Sequence, residues 1–406
     1  MKYTPILRCL ACDEMHVEPY LDLGQQPLAN SYHDGSEELA KFPLGVSVCR
    51  NCWHTQLTVA VDPDLMFKNY LYVSGTTTTL GDYFANFVQR VESDFGHQGS
   101  LRVLDIASND GSLLEKFGMR GHVIQGVDPA ENLRPLSEAK GVPTLVGYWN
   151  DAALSQIGET FDVIIAMNVL AHIKYPAEFL AICGRALRPG GRIYIQTSQA
   201  LMIKNGEFDT IYHEHHSFFT VRSFLAVAAR AGLRILDIEY APVHGTSYLV
   251  QLTPDTTSSS QDVQEFAIGR QEQSLGYYEM ETYHQFARKA LVTREKVKEL
   301  VAWSRSAGYR IVGYGAAAKG MTFLNFAELD LDYLVDDNPL KVGLMTPGRN
   351  VRIFGPEALE SEAEKTLFLI LAWNFYEEIM RRIRIRRNDS RDSFLTYFPR
   401  VSLIAS

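Results

Sequence analysis

The chain has 406 residues, of which 46% are hydrophobic and 21% are charged, and its formal net charge is −9. This length exceeds what one hydrophobic core usually fills, so we expect two or three domains. The acidic balance argues against a general nucleic-acid-binding protein, which needs a basic face. The apolar runs fall well short of the roughly 20 residues that span a bilayer, and the first residues do not resemble a secretory signal. We therefore expect a cytoplasmic protein without a nucleic-acid or membrane partner.

Cysteines mark the beginning of the chain. Four of the five form two Cys-x-x-Cys motifs, which are Cys9 with Cys12 and Cys49 with Cys52. Two such motifs supply four thiolates for a tetrahedral zinc site, which is then closed and structural. Disulfide pairing is the competing interpretation, and the expected cytoplasmic location weakens it. We predict a zinc-binding module over residues 1–70, with residues 21–30 mostly in loop.

A second pattern begins near residue 100, where apolar strand segments alternate with helical segments. The strand patterns cover residues 103–107, 122–127, 162–166 and 192–196. This alternation predicts a mainly parallel sheet with helices on both faces, in a domain spanning residues 71–256. Ligands in such sheets bind beyond the carboxyl ends of the strands.

The last third of the chain contains two further segments. Residues 257–305 are polar and helical, and we predict a connector there. Residues 306–406 form a second α/β unit, whose first turn has the pattern Gly-x-Gly-x-x-x-Lys and ends at Lys319. That turn suits phosphate binding with Lys319 as the counter-charge. A turn that only shapes the domain is an equal alternative.

The turn after the first strand of the central domain indicates a cofactor. It runs from Asp105 to Gly111 and carries one glycine and two carboxylates, including Asp110. A dinucleotide site uses several glycines around a pyrophosphate, whereas a negative turn suits the cationic sulfonium and ammonium groups of S-adenosylmethionine (SAM). Asp128 ends the next strand, where a carboxylate can accept hydrogen bonds from ribose hydroxyls. The alternative is that these are ordinary turn and strand-end residues.

The most unusual stretch is the histidine segment, residues 209–216, with the sequence Asp-Thr-Ile-Tyr-His-Glu-His-His. Six of its eight side chains are titratable, and ordinary core packing does not require such a cluster. Because it follows a predicted cofactor domain, it indicates an enzyme that moves protons.

With these motifs the chain resembles the SAM-dependent sugar C-methyltransferases over nearly its whole length. The resemblance includes the paired Cys-x-x-Cys module, residues 103–112, 168–172 and 315–320, Leu-Ala-Trp-Asn at 371–374, and above all the histidine segment. It implies a class I (Rossmann-like) methyltransferase domain between a small zinc module and a second, C-terminal Rossmann-like α/β domain that helps to hold a nucleotide-sugar. It further implies a nucleotide-linked 4-keto-6-deoxysugar substrate, methylated at C-3′ through an enolate during deoxysugar biosynthesis.

The resemblance and the residue chemistry together assign candidate roles. The predicted catalytic residues are His215 as general base, Tyr212 and His172 as hydrogen-bond donors to the enolate oxygen, and Glu214 to orient His215 or hold a sugar hydroxyl. The predicted cofactor-binding residues are Tyr72, Asp105, Ser108, Asp110, Gly111, Asp128, Pro129 and Asn168. The predicted substrate-binding residues are His244 and Lys319. His213 and His216 are expected to be ordinary core or surface histidines.

Two other functions compete with this interpretation. An O- or N-methyltransferase needs only a base and a positioned hydroxyl or amine, and the cofactor motif fits it equally well. A non-catalytic binding protein built on a zinc module is the second alternative, and the complete set of carboxylates at the cofactor turn argues against it. No pattern in the sequence sets the oligomeric state.

Overall fold

The computed structural model describes residues 2–36, 38–67, 78–96, 99–198, 200–243, 245–257, 259–360 and 364–405. Two predicted site residues, Tyr72 and His244, lie outside the described residues. Within the described ranges, every helix is too short or too polar to span a lipid bilayer.

The first part of the chain forms an antiparallel sheet. Its elements are β1 (Tyr3–Pro5), β2 (Val17–Pro27), β3 (Lys41–Cys49), β4 (Thr55–Leu57), β5 (Val59–Val61) and α1 (Asp64–Phe67). The N-terminal sheet has the order β11-β4-β3-β2. Its edge strand β11 (Ser217–Phe218) comes much later in the chain, directly after the histidine segment. The zinc-module segment and the histidine segment are therefore joined by backbone pairing.

One local prediction in this region is wrong. Residues 21–30 were expected to be mostly loop, but β2 runs through Pro27 and pairs with β3 along most of its length. The pairing shifts register between Asp22 and Gln25, and Gly24 there has φ +81°. Glycine and proline in this stretch therefore mark a β-bulge and a strand end rather than a loop.

The middle of the chain forms a seven-stranded sheet with helices on both faces. Its strands are β6 (Arg102–Ile106), β7 (Val123–Asp128), β8 (Thr144–Val146), β9 (Phe161–Met167), β10 (Leu187–Thr197), β12 (Leu233–Ala241) and β13 (Ser247–Pro254). Its helices are α2 (Thr78–Asp94), α3 (Ser112–Gly118), α4 (Arg134–Ala139), α5 (Asp151–Ile157), α6 (Pro176–Arg185), α7 (Met202–Asn205) and α8 (Val221–Arg230).

The order of this central sheet is β8-β7-β6-β9-β10-β13-β12, in which β13 is antiparallel to both of its neighbours. If these seven strands are numbered from one to seven along the chain, their order across the sheet is 3-2-1-4-5-7-6. The predicted strands at residues 103–107, 122–127, 162–166 and 192–196 are confirmed as β6, β7, β9 and β10. The three strands β7, β6 and β9 are parallel and the strand order reverses between β6 and β9, so the polar residues that follow these strands gather at one edge of the sheet.

Within the described residues, the rest of the chain forms four α-helices, of which α10 is the longest, and a six-stranded sheet. They are α9 (Ala267–Ser274), α10 (Met280–Ser306), β14 (Arg310–Tyr314), α11 (Ala318–Phe326), β15 (Tyr333–Val335), β16 (Ile353–Phe354), β17 (Thr366–Ile370), α12 (Tyr376–Arg387), β18 (Ser393–Thr396) and β19 (Ser402–Ala405). The C-terminal sheet has the order β16-β15-β14-β17-β18-β19 and is parallel except for β19. This second α/β unit is confirmed.

The helices in residues 257–305 are more than a connection. Tyr283, Phe286 and Ala290 of α10 are buried in one hydrophobic cluster with residues of the N-terminal and C-terminal sheets. Phe208, which precedes the histidine segment, and Ile211 within the segment belong to the same cluster. Full burial of such side chains contributes roughly 1.5–3 kcal/mol each. The histidine segment is thus packed between the N-terminal sheet, α10 and the C-terminal sheet.

Candidate active site

The four cysteines lie together in the N-terminal part of the fold. Their sulfur atoms all lie within 4.8 Å of one another, and the pairs Cys9–Cys52 and Cys12–Cys49 are each 3.5 Å apart. Tetrahedral zinc with Zn–S bonds of about 2.3 Å brings thiolates to about 3.8 Å from each other. The backbone N–H of Asn51 donates to the sulfur of Cys49 at 3.4 Å. The arrangement fits a closed, structural zinc site.

The N-terminal sheet also supports the histidine segment directly. The ring of His213 bonds to the backbone carbonyl of Pro43 through Nε2 (3.2 Å), and the carboxylate of Glu214 accepts a hydrogen bond from Asn30 Nδ2 (2.6 Å). Immediately after the segment, β11 pairs antiparallel with β4. The zinc-bearing part of the chain therefore sets the backbone course of the histidine segment.

The turn between β6 and α3 is tightly built. Gly111 has φ +75°, and a Cβ there would meet Val142 at 3.0 Å, so glycine is required. The carboxylate of Asp110 accepts hydrogen bonds from Ser112 Oγ (2.8 Å) and Lys140 Nζ (2.5 Å). Burial raises the pKa of Asp105 well above its usual value. The turn is therefore less negative than its sequence suggests, since Asp110 is paired with a lysine and burial disfavours the charged form of Asp105.

Asp128 lies at the carboxyl end of β7, beside this turn. One carboxylate oxygen accepts the backbone N–H of Asn109 at 2.8 Å, and the other accepts that of Ala130 at 2.7 Å. Burial raises the pKa of Asp128, while the two backbone hydrogen bonds lower it. The carboxylate is held in one orientation and keeps lone pairs that can accept hydrogen bonds from a ligand.

Two more polar groups face the same edge. Ser108 Oγ and Asn168 Oδ1 are buried and have no hydrogen-bond partner among the described residues. A Cβ on Gly126 would lie 2.5 Å from Ser108 Oγ, so the strand must have glycine at this position for the chain to approach so closely. Buried polar groups without partners are costly unless a ligand or water satisfies them. This edge of the sheet therefore fits a polar cofactor.

Tyr212 and His215 form the chemical centre of the histidine segment. His215 Nδ1 lies 3.0 Å from the backbone carbonyl of Thr210, and His215 Nε2 lies 3.0 Å from Tyr212 Oη. Because a carbonyl only accepts, the proton of the neutral ring sits on Nδ1, which leaves a lone pair on Nε2. Burial lowers the pKa of His215 to about 4. At neutral pH this imidazole is uncharged and able to accept a proton.

His172 lies beside His215, with ring centroids 4.9 Å apart. Burial, followed by the neighbouring His215, lowers the pKa of His172 well below its usual value, and a hydrogen bond to the backbone of Glu214 opposes this shift. A neutral ring that donates its one N–H to a carbonyl offers its other nitrogen as an acceptor. The predicted donation from His172 to an enolate oxygen therefore has less support than donation from Tyr212.

The side chains of Glu214 and His213 bond to the N-terminal module rather than to this centre. Burial raises the pKa of Glu214 to about 7, and its carboxylate bonds to Asn30 rather than to His215. The group that orients His215 is the Thr210 carbonyl, which the sequence prediction did not identify. His213 is buried against the N-terminal sheet, in keeping with its expected structural role.

A cavity of about 890 Å³ joins these groups. The predicted site residues that line it are Asp105, Ser108, Asp110, Asp128, Pro129, Asn168, His172, Tyr212, His215 and Lys319, whereas Gly111 and Glu214 lie outside its lining. His216, expected to have only a structural role, also lines it. The volume of the cavity falls within the usual range for small-molecule sites of ~300–1,000 Å³.

The C-terminal unit forms the far wall of this cavity. Lys319 Nζ lies 3.9 Å from the centre of the Trp373 ring, and burial lowers the pKa of Lys319 while Asp209 and Glu207 raise it. At the turn before Lys319, the N–H of Ala316 is already taken by Asp336 Oδ2 at 2.5 Å. Lys319 therefore reaches the cavity beside two carboxylates that favour its charged form, but this backbone N–H is not available to a phosphate.

Trp373 and Glu207 also line the cavity, and neither was predicted as a site residue. Trp373 lies in the Leu-Ala-Trp-Asn motif, which contributed to the family resemblance but received no role. Glu207 lies two positions before the histidine segment, and this closeness in the sequence is the feature that could have identified it as a site residue.

Comparison with known proteins separates the chain into three matched regions. Residues 9–67 match a zinc binding domain family, residues 78–238 match a methyltransferase domain family, and residues 242–399 match the C-methyltransferase C-terminal domain family. The C-methyltransferase NovU of Streptomyces niveus is 30% identical over 386 residues, covering 93% of this chain and 92% of NovU.

More distant relatives match only part of the chain. The ubiquinone biosynthesis O-methyltransferase of Rhizobium etli (strain CIAT 652) is 34% identical over 122 residues, covering 29% of this chain and 49% of the relative. The crystal structure of magnesium protoporphyrin IX methyltransferase from Synechocystis PCC 6803 with bound SAM is 14% identical, covers 43% of this chain and 79% of that chain, and has a TM-score of 0.34. The nearly full-length match to NovU shows that the chain belongs to the C-methyltransferase family, as a SAM-dependent enzyme with a zinc-binding N-terminal module.

Proposed function

We propose that the enzyme methylates C-3′ of a nucleotide-linked 4-keto-6-deoxysugar through an enolate, as a step in deoxysugar biosynthesis. The observation that carries this proposal is the state of His215, a buried neutral imidazole whose Nε2 lone pair faces a cavity shared with the cofactor edge. Forming a carbon–carbon bond needs a carbon nucleophile, and a sugar carbon becomes one when an adjacent ketone allows its proton to be removed. A neutral imidazole suits that proton removal near pH 7.

The residues around His215 support the following sequence. His215 Nε2 takes the C-3′ proton, and the electron pair of the broken C–H bond moves to form the enolate with its charge on the C-4′ oxygen. Tyr212 Oη donates to His215 in the resting site. When substrate binds, the hydroxyl turns to the C-4′ oxygen, which frees Nε2 and stabilises the developing charge. Bound SAM supplies the electrophilic methyl group that C-3′ then receives.

The walls of the cavity suggest how the two ligands divide the space. The strand ends carry Asp128, Ser108 and Asn168, which suit the polar groups of the cofactor. Lys319 lies on the opposite, C-terminal wall with its ammonium group over the Trp373 ring, where a cation suits the diphosphate of the sugar nucleotide. The division of the chain into residues 1–70, 71–256, 257–305 and 306–406 is part of the same proposal, as is sugar binding by His244 and cofactor binding by Tyr72.

We expect Asp128→Asn to weaken SAM binding about 10- to 100-fold, because hydrogen bonds from ribose hydroxyls to a charged acceptor contribute about 1.5–3 kcal/mol. Titration calorimetry of the zinc-loaded protein measures this affinity. Asp162→Asn is the matched control, since Asp162 also accepts a backbone N–H (from Arg102, 2.7 Å) but lies at the amino end of the sheet. Equal affinities in the two variants would contradict the role of Asp128.

The reaction itself is tested by incubating the enzyme with a dTDP-4-keto-6-deoxysugar in deuterated water, with SAM or with S-adenosylhomocysteine. We expect deuterium at C-3′ with S-adenosylhomocysteine and a new methyl group at C-3′ with SAM, observed by NMR and mass spectrometry. Methyl transfer to oxygen or nitrogen without exchange at carbon would overturn the enolate proposal and favour the O- or N-methyltransferase alternative.

A further inference from the structure

A buried carboxylate joins the start of the histidine segment to the C-terminal unit. Asp209 Oδ2 accepts hydrogen bonds from Trp373 Nε1 (2.7 Å) and Tyr397 Oη (2.8 Å), although these residues are far apart in the sequence. Both donors are held by stacking, since Trp373 packs on Phe398 with centroids 4.3 Å apart and Tyr397 packs on Phe323 at 3.9 Å. The carboxylate is therefore bound to two rigid donors.

This contact lies one residue from the group that orients the base. Asp209 and Thr210 share a single turn of 3₁₀ helix, Phe208–Thr210, and the Thr210 carbonyl accepts the Nδ1–H of His215. The Thr210 hydroxyl donates to the Glu207 carbonyl at 2.7 Å, which keeps the turn closed. A displacement of Asp209 must move the Thr210 carbonyl, because little freedom remains in so short a turn.

Charge at this junction favours the ionised carboxylate against the effect of burial. Burial raises the pKa of Asp209, whereas the positive charge of Lys319 and the hydrogen bonds from Trp373 and Tyr397 lower it. Asp209 in turn raises the pKa of Lys319, whose burial has the opposite effect. The two groups therefore stabilise each other's charged form beside the cavity.

We propose that Asp209 is a positioning residue, which uses Trp373 and Tyr397 to lock the Thr210 carbonyl in place so that His215 keeps its base nitrogen towards the cavity. The C-terminal unit then does more than form the sugar-nucleotide wall, because it also fixes the tautomer and orientation of the base. The effect on catalysis rests on the proposed function, whereas the effect on the His215 ring does not.

The clean test is Tyr397→Phe, which removes one hydroxyl that lies outside the lining of the cavity. Its matched control is Tyr194→Phe, because Tyr194 is equally buried and its hydroxyl also donates to a carboxylate, Asp94, at 2.8 Å. Asp209→Asn is the second test variant, since it keeps an acceptor oxygen and removes the charge.

Two readouts separate positioning from general stability. We expect Tyr397→Phe to lower kcat and the deuterium exchange rate on the order of tenfold, by loss of one hydrogen bond to a charged group, with KM and SAM affinity close to those of Tyr194→Phe. In protein labelled with ¹⁵N-histidine, we expect the His215 signals to shift from the pure Nδ1–H form towards mixed tautomers in Tyr397→Phe and Asp209→Asn.

Identical exchange rates and histidine spectra in Tyr397→Phe and Tyr194→Phe, at matched thermal stability, would overturn the proposal. If the wild-type enzyme shows no exchange with any keto-sugar, the proposed function fails. The ¹⁵N spectra still decide whether Asp209 positions His215, so the two failures are distinguishable.

Discussion

Cys52→Ala is expected to abolish methyl transfer, although the zinc site is closed and lies outside the cavity. Structural zinc contributes on the order of 10–16 kcal/mol in small modules at neutral pH, so its loss unfolds the segment that it holds. The N-terminal sheet supports the histidine segment through His213 with Pro43, Glu214 with Asn30, and the pairing of β11 with β4. Without that support the base has no fixed position.

Activity, zinc content by mass spectrometry and SAM affinity are the measurements for this variant. We expect SAM affinity to change by less than about threefold, because the cofactor edge belongs to the central sheet and local unfolding can leave it intact. Cys183→Ala is the control, since this buried thiol lies on α6 and is not one of the four clustered cysteines, and its loss should leave zinc and activity in place. A zinc-free Cys52→Ala enzyme with normal turnover would refute the dependence on zinc.

His215→Asn should lower the exchange and methylation rates by about 10²–10⁴, the usual contribution of general acid–base catalysis. The asparagine amide places an N–H near the position of Nδ1, so the hydrogen bond to Thr210 can persist while the base nitrogen is lost. The control is His213→Gln, whose amide can replace Nε2 in the bond to Pro43. That variant should keep the wild-type rate, and equal losses in both would point to a structural cause.

The pH dependence of exchange provides a second view of His215. Burial lowers the pKa of this imidazole to about 4, so the neutral, proton-accepting form predominates above that pH. The acid limb of the wild-type profile that arises from His215 should therefore lie near pH 4, rather than near the ordinary histidine value of about 6.5. Between about pH 4 and about pH 6.5, the rate of exchange by the wild-type enzyme should be almost constant.

Sequence patterns predicted the parts of this fold that depend mainly on residues close to one another in the chain. The spacing of Cys9, Cys12, Cys49 and Cys52 predicts their convergence because each pair lies within one short turn. The apolar strands of the central sheet followed from their alternation with helices. The same reasoning failed at Gly24, since a glycine in a β-bulge and a glycine in a loop look alike without the partner strand.

The details of the active site depend on contacts that sequence patterns do not encode. Thr210 orients His215 because the chain turns back on itself, and Glu214 bonds to Asn30 in a strand-end loop of the first module. Lys140, which pairs with Asp110, comes from a helix end that no motif marks. Such partners are set by tertiary packing, so the residue types of the site were predictable and their pairings were not.

The pairing of β11 with β4 has a consequence for how the protein is made. The two strands are separated by about 160 residues, from Thr55–Leu57 to Ser217–Phe218. At ~5–20 residues per second, a ribosome needs roughly 8 to 30 s to deliver the second strand after the first. Throughout that time the β4 edge of a nascent N-terminal sheet is unpaired, and an open edge is a template for pairing with another chain. Newly made copies are therefore most exposed to one another in this interval, before β11 arrives and covers the β4 edge.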